Sequence, residues 1–173
     1  MNAEHRLIKP IAAQFLADDV SVDLSVFSSI DDDAAELLTG YRNEEFLPLG
    51  GLAQLPDSVA EIPGSGYPGS LELSGLTTLS DAAARGLARS QGESICLEGL
   101  TTLSDLTAQY LSNYSGLIWL GGLTNLSANA IQSLSQSKGE LALGGDGYHH
   151  SAATRPTPYE LAERIQAAIT SKG

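Results

Sequence analysis

Positive charge is scarce in this chain. Its 9 Lys and Arg stand against 21 Asp and Glu, a formal charge of −12. Such a surface repels nucleic acid and anionic membranes, whose phosphates call for clustered cations. Cysteine is scarcer still: a single one, Cys96, excludes an internal disulfide and a metal site built from cysteines alone. No apolar run approaches the roughly 18–20 residues of a membrane span. The opening MNAEHRLIKP lacks the apolar core of a signal peptide. The expectation is a cytoplasmic protein, or one exported by a route without a cleavable signal. At 173 residues the chain is long enough for one domain with a real core.

What the chain has in abundance is repetition. From Leu71 it reads LELSGLTTLSDAAARGLARSQGES, then ICLEGLTTLSDLTAQYLSNYSGL, then IWLGGLTNLSANAIQSLSQSKGE, then LALGG. Leu71, Ile95, Ile118 and Leu141 open the units, at spacings of 24, 23 and 23 residues. A period of this size belongs to stacked-repeat architectures, in which each unit leans only on its neighbours. Inside the unit, Leu71, Leu73, Leu76 and Leu79 recur as Ile95, Leu97, Leu100 and Leu103, and again as Ile118, Leu120, Leu123 and Leu126. The first two alternate, as in a short strand with one buried face. Ser80, Ser104 and Ser127 follow, each placed to cap a short helix that carries Ala or Leu at helical spacing. Gly92, Gly116 and Gly139 are expected to turn the chain back through positive φ.

At these residues the sequence resembles the leucine-rich repeats. The L-x-L cores are Leu71/Leu73, Ile95/Leu97, Ile118/Leu120 and Leu141/Leu143. Where the common motif carries an Asn ladder, this chain has Leu76, Leu100 and Leu123. Bacterial repeats of the treponemal, BspA-like class are similar in length, though their Phe and Cys are missing here. The resemblance implies an α/β solenoid: a curved stack of short parallel strands and short convex-side helices, with helical caps at both ends.

The phase extends toward the N-terminus. Val22, Leu24, Phe27 and Ile30 fill the four apolar positions of one degenerate unit, and Leu47, Leu49, Leu52 and Leu55 those of another. Units therefore start at 22, 47, 71, 95, 118 and 141, spanning 22–145 within one domain. Segment 1–21 is expected to be an N-terminal cap, from a helix over Pro10–Ala17. Segment 146–173 is expected to be a turn and a capping helix, with Thr157, Pro158 and Glu160 starting it and Leu161, Ile165, Ala168 and Ile169 on one face. The stretch IPGSGYPGS reads as a spacer loop packed on a flank by Tyr67.

Chemistry-bearing groups are few. Asp31, Asp32 and Asp33 lack the alternate spacing, glycine and distant Glu of a calcium loop, and suit a helix N-terminus instead. His149 and His150 are adjacent, which does not suit chelation of one ion, and read as a turn before the capping helix. Cys96 lies about 10 Å from His149 by strand spacing, too far for a dyad. No catalytic residue, metal or cofactor is expected, and the chain reads as a non-enzyme. The residues between the buried strand positions point outward and form a row: Asp23, Pro48, Glu72, Cys96, Trp119 and Ala142. Phe46, Ser70, Ser74, Ser94, Glu98, Leu117 and Glu140 flank it. From these, Glu72, Cys96, Glu98, Leu117 and Trp119 are the candidate contacts for a protein partner on the concave strand face. An alternative is an acidic inhibitor or immunity-type partner of a basic protein, steered by the −12 charge. The third reading is an enzyme using Cys96 or the His149–His150 turn.

Overall fold

The computed structural model describes residues 5–42, 46–57, 59–60, 67–143, 149–150 and 163. In chain order its elements are β1 (Arg6–Leu7), α1 (Lys9–Ala17), β2 (Ser29–Ile30), α2 (Asp32–Leu38), β3 (Phe46–Pro48), β4 (Ser70–Glu72), α3 (Asp81–Leu87), β5 (Ser94–Cys96), α4 (Asp105–Leu111), β6 (Leu117–Trp119), α5 (Ala128–Leu134), β7 (Glu140–Ala142) and β8 (His149–His150). Strands β3 to β8 form one sheet in chain order. β3 to β7 are parallel, and the fold is α/β. Leu47, Leu71, Ile95, Ile118 and Leu141 face one another across those strands, and each is at most 2 % exposed. Leu49, Leu73, Leu97, Leu120 and Leu143 make a second buried row, and Leu52, Leu76, Leu100 and Leu123 a third. Burial of each such side chain stabilises the fold by about 1.5–3 kcal/mol. On the far side of this core α1 packs on α2, α3 on α4 and α4 on α5.

The ends depart from the repeat pattern. The unit at Val22 contributes no strand to the main sheet. Leu24–Val26 forms a single 3₁₀ turn instead, because the Asp23 carboxylate accepts both the Ser25 amide (2.9 Å) and the Ser25 hydroxyl (2.6 Å). A short acidic side chain bonded two residues ahead competes with extended backbone in this way. β3 is thereby the first strand of its sheet, a position where the missing N–H of Pro48 is tolerated. The same unit pairs lower down: β2 lies parallel to β1, with Leu7 opposite Ile30. The segment expected to be a capping helix is a strand followed by a helix, and Leu7, Ala12 and Phe15 are its buried residues. Phe15 packs on Tyr41 at 5.1 Å and Tyr41 on Tyr67 at 5.8 Å between ring centroids. Tyr67, expected to pack its loop on a flank, is part of the core at 1 % exposure. At the other end His149 and His150 form an antiparallel strand on β7 where a turn was expected. An added strand of opposite direction occupies the backbone edge that a further parallel unit would use. The C-terminal helix expected from Thr157, Pro158, Glu160, Leu161, Ile165, Ala168 and Ile169 lies outside the described residues.

The serine caps form as expected. Ser80, Ser104 and Ser127 accept the amides of Ala83, Thr107 and Ala130, each at 3.0 Å. The same hydroxyls also donate backward to the preceding unit: Ser80 to Asp57 (3.4 Å), Ser104 to Asp81 (2.6 Å) and Ser127 to Asp105. Thr107 adds a second bond to Asp81 (2.8 Å), and Asn129 one to Asp105 (2.9 Å). Asp31 caps nothing with its side chain; it pairs with Arg6 of β1.

The glycines answer to close approach and not to positive φ. A Cβ on Gly51, Gly75, Gly99 or Gly122 would lie 2.0, 2.2, 2.2 or 1.9 Å from a carbonyl oxygen of the preceding unit. Gly92, Gly116 and Gly139 meet the same obstacle at 2.4, 2.5 and 2.1 Å. None of these seven has the left-handed φ expected of turn glycines.

Two outcomes follow. Gly122→Ala must push two units apart, so its melt should show a loss of about 1–3 kcal/mol or more. An unchanged Tm would mean that the units are not in this contact. The hydroxyls of Ser104 and then Thr107 hold Asp81 below the usual carboxylate range, and those of Ser127 and the Asn129 amide do so for Asp105. A depressed folded-state pKa gives stability that is full above the unfolded pKa of about 4 and is lost as pH falls through the lowered value. Wild type should therefore lose Tm between about pH 4 and 2 more steeply than Asp81→Ala/Asp105→Ala. Parallel acid profiles would remove the ladder's role.

Candidate binding face

Alternation sends one side chain per strand away from the core, and the parallel register lines these up. Pro48 faces Glu72, Glu72 faces Cys96, Cys96 faces Trp119 and Trp119 faces Ala142. The row expected from sequence thus exists over five strands, with two corrections at its ends. Asp23 stands on the 3₁₀ turn and bonds Ser25, so it is not a strand residue. Ala142 is fully buried, so the open part of the row stops at β6.

Between β3 and β6 the face dips into an open groove of about 400 Å³. Glu72, Cys96, Glu98 and Trp119 line it. Leu117 sits on β6, half-buried between Ser94 and Glu140, and is not part of the lining. Three residues expected only to flank the row also line the groove: Phe46, 45 % exposed at the β3 end, and the Ser70–Ser94 pair, whose hydroxyls bond at 2.9 Å. Phe46 opens β3 in the position that Ser70 and Ser94 hold in β4 and β5, which is the register that named it a flanking residue. Trp119 itself is half-buried, neither core nor free-standing.

The groove is electronegative. Glu72 is held in place because its Oε1 accepts the Ser74 amide at 2.9 Å. Glu98 is exposed beyond the end of β5. Burial first, then the Glu72 charge, pushes the Cys96 thiol up to about 12, with the Glu98 charge adding and the Glu98 backbone amide opposing. A thiol so placed stays protonated at neutral pH and is a poor nucleophile or metal ligand. β6 and β7 lie between Cys96 and β8. Three strand spacings put roughly 14 Å between them, more than the 10 Å expected and well beyond a dyad. Among the described residues no three His, Cys, Asp or Glu gather as for a metal ion. No described helix is long and apolar enough to cross a membrane.

The thiol gives a direct test of this field. Cys96 should resist iodoacetamide at pH 8 under native conditions, and Glu72→Gln should speed alkylation by lowering the thiol pKa. A wild-type rate equal to that of the unfolded chain would contradict the assigned surroundings of Cys96. Comparison with protein-family models, with curated proteins and with solved structures finds no match to the chain.

Proposed function

We propose that the chain is a protein–protein interaction module, a divergent bacterial-type leucine-rich-repeat solenoid that binds a partner through its strand face. The L-x-L cores, the 23-to-25-residue spacing and the in-order parallel strands support the solenoid reading. The observation that carries the binding reading is the open groove across four strands, walled by half-buried Trp119 and exposed Phe46. Large aromatics presented on a rigid sheet have the make-up of an interaction hot spot, since little side-chain freedom is lost on binding. The protonated Cys96 thiol favours a binding face over a cysteine enzyme, and the module needs no cofactor.

A second reading is an acidic inhibitor or immunity-type partner of a basic protein. It is favoured by the −12 charge and by eleven acidic residues between Asp18 and Glu61 with Arg42 as the only Lys or Arg among them. Steep loss of affinity with salt marks that reading, since exposed charges are screened beyond about 10 Å at 0.1 M.

Trp119→Ala should keep the wild-type fold and cooperative melt. Affinity for the partner captured and identified by mass spectrometry should fall by about 2 kcal/mol or more. Undiminished affinity, or Trp119 fluorescence that acrylamide does not quench, would sink the assignment of this face.

A further inference from the structure

We infer that the groove receives a basic, extended segment of a partner protein, with an arginine side chain seated between Glu72 and Glu98 against Trp119. This rests on the interaction reading of the same face. Among the described residues, the groove's lining holds two carboxylates, two aromatic rings at its ends and no cation. An apolar occupant would strip water from Glu72 and leave a buried charge unpaired, which costs several kcal/mol. A cation removes that penalty. Glu72 is already oriented by the Ser74 amide, and a carboxylate has about four acceptor sites, so capacity remains for a guanidinium. Arginine suits the site better than lysine: its planar fork bonds carboxylates bidentately while its face stacks on an indole.

Size points the same way. From β3 to β6 is three strand spacings, roughly 14 Å. That is the span of about four extended residues, at roughly 3.4 Å each. The interior amides of β4, β5 and β6 are committed to the sheet, so the occupant is recognised by side chains and not by strand addition. The groove chemistry therefore selects charge and planarity at one position.

The chain's only tryptophan lies in the groove, so its emission reports occupancy. The probe is a blocked Gly-Ser-Arg-Ser-Arg-Gly peptide, titrated at low salt beside versions carrying lysine or citrulline, the neutral isostere of arginine. The arginine peptide should give a saturable change in Trp119 emission, lysine a weaker one and citrulline none. Glu72→Gln/Glu98→Gln should weaken binding at least about tenfold, as expected for loss of charge-assisted bonds. Asp32→Asn/Asp33→Asn changes net charge equally on α2, away from the groove, and should leave binding as in wild type. Equal binding of arginine and citrulline, equal weakening by both double variants, or no saturable change overturns the inference. Trp119-dependent capture of a partner that survives Glu72→Gln/Glu98→Gln keeps the interaction face and rejects the basic segment alone.

Discussion

Everything in this fold depends on how closely one unit lies against the next. The carbonyls of Ser74 and Leu76 would stand 2.2 and 2.5 Å from a Cβ on Gly99, and those of Glu98 and Leu100 at 1.9 and 2.7 Å from one on Gly122. Real Cβ contacts do not occur at such distances, so glycine is the only residue that lets the backbones meet there. That approach also brings the leucine rows into contact, because side chains in register pack well only at one separation. Gly86 extends the same economy to the helix layer, where a Cβ would lie 2.7 Å from the Ala60 carbonyl oxygen.

The Asp–Ser links follow from the same spacing. A serine used only as a helix cap needs no neighbour, yet each hydroxyl here accepts its own helix's amide and donates to the Asp one unit back. The Asp in turn sits in the first turn of its helix, where the dipole already favours negative charge. One Ser-Asp dipeptide thus serves a cap, a dipole and a tie between units. The run ends where one half of the dipeptide is lost: Ser127 is followed by Ala128, and at the other end Pro56 stands in the serine's place before Asp57, while Asp31 pairs with Arg6. Val26 offers a matching sign. It precedes Phe27 and the N-terminal side of the stack, is 54 % exposed, and occupies the place that glycine takes in the units behind it.

The parallel order, the strand centres and the serine caps were legible because each leaves a periodic trace: an L-x-L pair, a serine seven residues past the second leucine. The outward row Pro48, Glu72, Cys96 and Trp119 was legible for the same reason, since strand alternation fixes which side chains leave the core. What stayed hidden depends on contacts between residues far apart in sequence. Nothing local in Gly92 or Gly116 distinguishes a turn glycine from one pressed against a neighbouring carbonyl. Asp23 looked like a strand residue because its bond to Ser25 is a choice between two local structures that the apolar pattern does not register. β8 was hidden because two histidines carry no strand signature, and their pairing is set by the free edge of β7. Phe46 was legible as a flanking residue, but not as a groove wall, since its exposure depends on β3 being the first strand of its sheet.

The division of labour between the two strand faces explains why the candidate face lies where it does. Inward positions must repeat, because Leu47, Leu71, Ile95, Ile118 and Leu141 touch their own counterparts and a change of volume in one is felt by two neighbours. Outward positions carry no such demand. Pro48, Glu72, Cys96 and Trp119 share neither size, charge nor polarity, although they stand in the same register. A column free to vary on a rigid frame can hold unlike groups a fixed distance apart, and here it sets an acid, a thiol and an indole at intervals of roughly 4.8 Å. Rigidity matters as much as composition: strands fixed on both sides by register and by glycine contacts hold those groups in a set arrangement, and side chains already ordered lose little conformational freedom in any contact they make.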